Sequence, residues 1–80
     1  MNLYLLTQTD NAGYDTYDSC VVAAPDEDTA RCLHPGGYDW DSFGGSGTWA
    51  FYPSTVKAQL IGVAVEGTAA GVVLASFNAG

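Results

Sequence analysis

Apolar residues cluster in four short segments that have the character of β-strands. Two lie in the first third of the chain, at Met1–Thr7 and at about Tyr17–Ala24, and two lie near its end, at Val56–Val65 and Gly71–Asn78. Val, Ile, Leu and Tyr at these positions favour extended backbone. Because Met1–Thr7 is apolar on both faces, we expect it to occupy a central place in a sheet.

The third segment carries the clearest alternation. Lys57 and Gln59 fall on one face, opposite Ala58 and Leu60 on the other. A glycine at position 62 predicts a bulge or a close backbone approach. For the fourth segment a helix from position 68 to 75 is the alternative, and its β-branched pair and flanking glycines favour the strand.

One short helix is predicted between the second and third strands. Pro25 suits a first helical residue, where no backbone N–H is needed. Acidic residues fill the first turn, and Arg31 and His34 fill the last, in agreement with the helix dipole. Pro35 and the glycines after it end the helix.

A helix of about two turns is marginal unless it packs on a sheet. We expect Ala30 and Leu33 to face inward, with Cys32 or Thr29 at the edge. The resulting order is β-β-α-β-β, which predicts a single small α+β domain over residues 1–80 with a four-stranded, mostly antiparallel sheet.

A long glycine- and aromatic-rich loop, Gly36–Ser54, interrupts this pattern. Loops of that length in a small domain are commonly functional or flexible. Within it, Trp49–Tyr52 is predicted to form a short strand ended by Pro53. One short helix cannot cover four strands, so the loop is expected to cover the remainder of the sheet.

Charge narrows the classes of partner. The chain holds nine acidic residues against Arg31 and Lys57, for a net charge of −7. Nucleic acid and anionic membranes repel such a surface, whereas basic, nucleic-acid-binding protein surfaces attract it. Solubility alone is an equally good explanation of the charge. No secretory signal or membrane span is apparent, which predicts a cytoplasmic protein.

Residues for catalysis or metal binding are few. Cys20 and Cys32 lack the spacing of a zinc site, and the only histidine, His34, lies two residues from Cys32. The acids at positions 10 to 18 do not match a calcium loop. We therefore expect no enzyme activity, no cofactor and no metal, with buried free thiols favoured over a disulfide and a Cys-His enzyme as a minor alternative.

Two surface features remain as candidates for partner binding. The first is a set of acidic residues that would form one negative surface if they lay on one side. The second is a pair of aromatic residues beside two aspartates, of the residue types that dominate binding hot spots. For the other loop aromatics, Trp49 and Phe51, a place in the core is favoured. The candidate residues are Asp10, Asp15, Asp18, Asp26, Glu27, Asp28, Tyr38, Asp39, Trp40 and Asp41.

Four blocks of the sequence resemble a family of small phage and prophage proteins. They are Tyr4–Gln8, the more specific Gly13–Ser19 (Gly-Tyr-Asp-Thr-Tyr-Asp-Ser), Ala30-Arg31 with His34-Pro35, and the ending Ala75–Gly80. In size, acidity and lack of a catalytic set the chain is similar to phage-encoded anti-CRISPR proteins, and most of all to inhibitors of the type I-C system. That resemblance implies binding to the Cascade surveillance complex inside the bacterial host and blockade of its target-DNA recognition.

The resulting expectation is a non-enzymatic inhibitor that binds a basic protein surface, as an acidic binder rather than as a full mimic of DNA. Nine acids are few for carboxylates spaced like phosphates. The alternative is an accessory phage protein with a structural or assembly role, monomeric or joined as a homodimer through an exposed sheet edge.

Overall fold

The computed structural model describes residues 1–11, 13–37 and 48–78. Its framework is one four-stranded antiparallel sheet with the spatial order β3-β1-β2-β4. The strands are β1 (Asn2–Thr7), β2 (Thr16–Ala24), β3 (Lys57–Val63) and β4 (Gly71–Asn78). The α+β prediction, the antiparallel sheet and the central place of the first strand are confirmed.

Both edge strands carry an irregularity. The register between β1 and β3 shifts between Leu3 and Tyr4, which leaves Ile61 as an extra residue beside Gly62. The bulge predicted at this glycine is therefore confirmed. The register between β2 and β4 shifts twice, and the residues without a partner are Asp18 on β2 and Val73 on β4.

The helix α1, Glu27–Arg31, is shorter and begins later than predicted. Asp26 is its N-cap: the carboxylate accepts a 2.7 Å hydrogen bond from the amide of Thr29. A side-chain cap fixes the helix start more firmly than proline does, so Pro25 lies outside the helix. At the other end Leu33 donates to the carbonyl of Ala30, three residues back, which closes the helix in a tight turn.

His34 therefore lies beyond the helix rather than in its last turn, which corrects the prediction. The inward orientation of Ala30 and Leu33 is confirmed, since Ala30 is fully buried and Leu33 packs against the core. Cys32 and Thr29 are both exposed. None of the helices in the described ranges has the length and apolarity needed to cross a membrane.

The core lies on one face of the sheet, between the strands and the elements that pack on them. Tyr4 and Leu6 of β1 face Val22 and Cys20 of β2, and all four are buried. The elements that cover this face contribute the buried residues Ala30, Trp49, Ala50 and Val56. On the opposite face of the sheet, Ala23 of β2 is also fully buried.

The segment after residue 48 corrects a second prediction. It forms no strand: Trp49 and Ala50 are buried, Phe51 and Tyr52 are exposed, and Pro53–Thr55 is a 3-10 helix. The core assignment of Trp49 is thus confirmed, while that of Phe51 is wrong. Pro53 fixes φ at the first position of a helical turn and provides no N–H for a sheet, which favours this conformation over a strand.

Candidate partner-binding site

The structure distributes the predicted acidic residues over two regions. Asp10, Asp15 and Asp18 lie at or near the end of the sheet where β1 ends and β2 begins, and Asp26 follows the other end of β2. Nine strand residues separate these ends, or roughly 26 Å. The acids therefore do not form one continuous patch. Tyr38, Asp39, Trp40 and Asp41 lie outside the described residues.

At the helix the carboxylates have structural contacts. Asp26 caps α1, and this hydrogen bond to the amide of Thr29 lowers the pKa of its carboxyl. Arg31 forms ion pairs with Glu27 at 2.6 Å and with Asp28 at 3.5 Å. These acids are therefore already engaged with α1, which leaves less of their charge for a partner.

Asp10 also supports the fold. Its carboxylate accepts hydrogen bonds from the amide of Phe51, at 3.2 Å, and from the hydroxyl of Thr55. It thereby joins the connection after β1 to the 3-10 helix at Pro53–Thr55. This contact was not foreseen from the sequence, because the two partners are more than forty positions away along the chain.

The remaining acids, Asp15 and Asp18, lie in the segment Gly13–Asp18, which we call the acidic turn. Tyr14 directly precedes Asp15 in this turn, and 76% of its surface is accessible to solvent. Both aspartates are exposed as well. The acidic turn thus displays one large aromatic side chain beside two carboxylates, which is a combination suited to a basic protein surface.

Hydrogen bonds within the acidic turn and from Asn78 of β4 fix its backbone. The carbonyl of Gly13 accepts from the Thr16 hydroxyl at 2.7 Å and from the Asn78 side-chain amide at 3.0 Å. The amide of Asp15 in turn donates to the carbonyl of Asn78. The acidic turn is therefore attached to the end of β4 at two points.

Asp15 adopts a left-handed backbone conformation, with φ of 61°. It is the one non-glycine residue with positive φ in the described ranges. Aspartate tolerates this conformation better than most residues, at a cost that the contacts with Asn78 help to offset. Such conformations concentrate at functional positions, so this observation supports the acidic turn as a site.

Tyr17 connects the acidic turn to the core. Its amide donates to the carbonyl of Thr48 at 2.6 Å, and its ring packs edge-on against Phe77 at 4.8 Å and His34 at 6.2 Å. Buried Gln8 supports the same region, because its side chain donates to the Tyr17 carbonyl at 3.0 Å. These contacts reduce the ordering that partner binding would otherwise require.

Tyr14 was absent from the sequence-based candidates although it belongs to the most specific block of the resemblance. A signal was present in the sequence: a tyrosine directly beside Gly13 and Asp15 in a cluster of turn formers. The predicted aromatic contacts were instead Tyr38 and Trp40, in the loop where most of the chain's aromatic residues lie.

The two basic residues line a groove of about 580 Å³ beside β3. The Arg31 guanidinium is already engaged there, by its ion pairs and by a 3.1 Å hydrogen bond to the Val56 carbonyl. Lys57 is exposed, and it lies two strands away from β2, about 10 Å. The negative potential of the acidic turn is therefore little offset by either cation.

Cys20 and His34 are buried and have the environments of structural groups, whereas Cys32 is exposed, so the prediction of buried thiols is confirmed for Cys20 and wrong for Cys32. Burial raises the pKa of the Cys20 thiol to about 12, which disfavours the thiolate that a nucleophile requires. Burial also lowers the pKa of His34, whose Nδ1 accepts a 2.9 Å hydrogen bond from the amide of Gly36. Cys20 and Cys32 are both free, and no group of three potential metal ligands occurs among the described residues.

No protein-family model, curated protein or solved structure matches this chain.

Proposed function

We propose that this chain is a non-enzymatic inhibitor of the anti-CRISPR kind, which binds type I-C Cascade and blocks its recognition of target DNA. The acidic turn is the surface proposed to make the contact. The choice of target follows from the sequence resemblance, which is most specific over Gly13–Ser19. The observation that carries the choice of surface is that Tyr14, Asp15 and Asp18 are exposed together on a backbone held by Asn78.

The expected chemistry is that of a salt-sensitive protein contact. Asp15 and Asp18 would pair with basic side chains that ordinarily contact DNA phosphates, and each exposed carboxylate contributes about 1 kcal/mol or less. Tyr14 would contribute more, because a tyrosine that becomes buried in an interface contributes roughly 2 kcal/mol or more. This division predicts that charge sets the rate of association and the tyrosine sets the lifetime of the complex.

The test is the affinity of the purified chain for purified type I-C Cascade, measured by biolayer interferometry from about 50 mM to about 500 mM salt. We expect the affinity to fall as salt rises. The double variant Asp15→Asn/Asp18→Asn is expected to bind up to about tenfold more weakly, with a shallower salt dependence. Tyr14→Ala is expected to weaken binding at least tenfold at every salt concentration.

A matched control separates the acidic turn from net charge. The double variant Glu66→Gln/Asp28→Asn also removes two negative charges, but outside the acidic turn. Glu66 lies between β3 and β4, at the opposite end of the sheet. If this control weakened binding as much as the change in the acidic turn, a general charge effect would replace the specific site. Absence of binding at any salt concentration would reject Cascade as the target. A gel-shift assay with target DNA then tests whether bound Cascade is blocked.

An accessory role in phage structure or assembly is the second candidate. The observation that favours it is the amount of apolar surface on the two edge strands, where Leu60, Val63 and Leu74 are all exposed. Surface of this kind is typical of chains that assemble with others. This candidate predicts self-association and no effect on DNA binding by Cascade.

A further inference from the structure

The outer side of β3 is not paired with another strand in the described part of the chain, and we call residues 56–60 on this side the β3 edge. β3 is the first strand in the order β3-β1-β2-β4, so it pairs with β1 on one side only. Its side chains Lys57, Gln59 and Leu60 are exposed. A free strand edge of this kind can accept an additional extended segment.

One hydrogen bond shows which backbone groups of the β3 edge are directed outward. The carbonyl of Val56 accepts from Arg31 Nε at 3.1 Å, outside the sheet. Because successive residues of an antiparallel strand alternate between bonding the neighbour and facing away, Ala58 and Leu60 also direct their N–H and C=O groups outward. The register against β1 is regular as far as Leu60, and the bulge follows it. An incoming strand therefore finds two residues with free backbone groups.

A groove of about 580 Å³ follows the same segment of chain. It is lined by the consecutive residues 54–59, together with Arg31 and two residues of β1. A volume of several hundred Å³ is typical of binding sites. The extended part of the lining, residues 56–59, covers about 13 Å, which is the length of four residues of an extended peptide.

Charge indicates what kind of segment fits this groove. Both basic residues of the chain line it, and none of the described residues that line it is acidic, although the chain has nine acidic residues. The other edge strand, β4, carries no charged residue. An acidic segment is therefore complementary to the β3 edge and not to the β4 edge.

The two cations approach the β3 edge from opposite faces of the sheet. Ala58 packs against the core, so its neighbour Lys57 points to the other face. Arg31 belongs to α1, whose Ala30 is buried in the core. Successive side chains of an added strand also point to opposite faces. Two consecutive acidic residues therefore match the two cations, whereas acidic residues two positions apart do not.

We propose that the β3 edge binds a short extended segment of a partner protein that contains two consecutive acidic residues. Its backbone pairs with Ala58 and Leu60, and its carboxylates face Lys57 and Arg31. Lysine on an edge strand commonly discourages pairing with other strands, and an opposite charge on the incoming strand turns this effect into attraction. The site is separate from the acidic turn and goes beyond the proposed function.

Arg31 exchanges part of its present ion pairing when the segment binds. Its Nη1 lies 3.5 Å from Asp28, whose side chain is 96% exposed, whereas its pair with Glu27 is shorter, at 2.6 Å. A long and exposed ion pair contributes little, so an incoming carboxylate can replace Asp28. The variant Asp28→Asn is therefore expected to bind the acidic segment about twofold more tightly.

An NMR titration of the intact, nitrogen-15-labelled chain with the peptide acetyl-Val-Thr-Glu-Glu-Val-Thr-amide tests the site. We expect a dissociation constant on the order of 0.1–1 mM, because four paired residues form much less than a standard interface. The amides of Ala58 and Leu60 should shift most, and their exchange with solvent should slow. Lys57→Gln should weaken binding roughly threefold to fivefold. Ala69→Glu is the matched control: it makes the same change in net charge in the β3–β4 connection and should bind as the natural chain does.

Three altered peptides separate charge from backbone pairing. The peptide with glutamines in place of both glutamates should bind at least fivefold more weakly, and so should one whose two glutamates are N-methylated. Acetyl-Val-Glu-Thr-Glu-Val-Thr-amide, with glutamates two positions apart, should lose about threefold. Equal binding of the glutamine peptide, equal weakening by Ala69→Glu, or unshifted amides at Ala58 and Leu60 would each overturn the proposal. Asp15→Asn/Asp18→Asn should leave peptide binding within about twofold, so this proposal and the Cascade proposal can fail independently.

Discussion

Trp49 provides the most quantitative test of how the acidic turn is supported. Its side chain is fully buried in the core, and its indole Nε1 has no hydrogen-bond partner among the described residues. Its carbonyl accepts from the Asn11 side chain at 3.4 Å, and its neighbour Thr48 accepts from the amide of Tyr17. Loss of Trp49 packing is therefore expected to loosen the acidic turn as well as the core.

Two substitutions at this position separate packing from polarity. Trp49→Ala removes most of a large buried side chain, at a cost of about 3–5 kcal/mol. Trp49→Phe leaves a cavity of about 40 Å³, which costs about 1 kcal/mol, and it loses about 1 kcal/mol of apolar burial. It also removes an unpaired buried N–H group, which gains about 1–3 kcal/mol. We therefore expect Trp49→Phe to change the free energy of unfolding by no more than about 1 kcal/mol.

Urea unfolding followed by far-ultraviolet circular dichroism measures both changes. Domains of this size have a free energy of unfolding of about 4–12 kcal/mol, so Trp49→Ala should remove a large part of it. Phe51→Ala is the control, because Phe51 is exposed and its loss should have little effect. If Trp49→Phe destabilised the chain as much as Trp49→Ala, the reasoning from an unpaired indole would be refuted.

Three further predictions concern titratable groups. Asp26→Ala should lower the midpoint of urea unfolding at neutral pH. The difference in midpoint between this variant and the natural chain should vanish as pH falls through the lowered pKa of the Asp26 carboxyl, because protonation weakens the hydrogen bond that this group accepts from the Thr29 amide. The contribution of His34 to stability should be constant above the ordinary pKa of histidine and should decrease as pH drops below it, because buried His34 binds a proton less well than it does in the unfolded chain. The variant His34→Gln should lack this decrease, and an NMR titration measures the His34 pKa directly. A thiol reagent at pH 8 should label exposed Cys32 rapidly and Cys20 only after unfolding, because burial raises the pKa of the Cys20 thiol to about 12. Rapid labelling of two thiols in the native chain would contradict the burial of Cys20.

The strands could be predicted from the sequence because each depends on local pattern. The alternation at Lys57–Leu60 was enough to predict β3, and the glycine that begins the last apolar segment was enough to predict the start of β4. The helix starts two residues later than predicted, at Glu27 rather than Pro25. Pro25 and Asp26 both carry start signals, and only the hydrogen bond that the Thr29 amide donates to the Asp26 carboxylate decides between them.

The site was less predictable because its contacts are distant along the chain. Asn78 holds Gly13 across sixty-five positions, and Asp10 holds Thr55 across forty-five. No local pattern distinguishes an aspartate that supports the fold, such as Asp10, from one displayed to solvent, such as Asp15. The separation of the acids likewise depends on the length of β2, which carries them to opposite ends of the sheet.

The central proposal is that the acidic turn contacts a basic surface of Cascade. Hydrogen exchange of the chain, free and bound to purified type I-C Cascade, tests this directly. We predict that binding slows exchange within Gly13–Asp18 more than in the β3–β4 connection around Glu66. Binding that left the acidic turn unprotected and slowed exchange elsewhere, or no binding at all, would contradict the account.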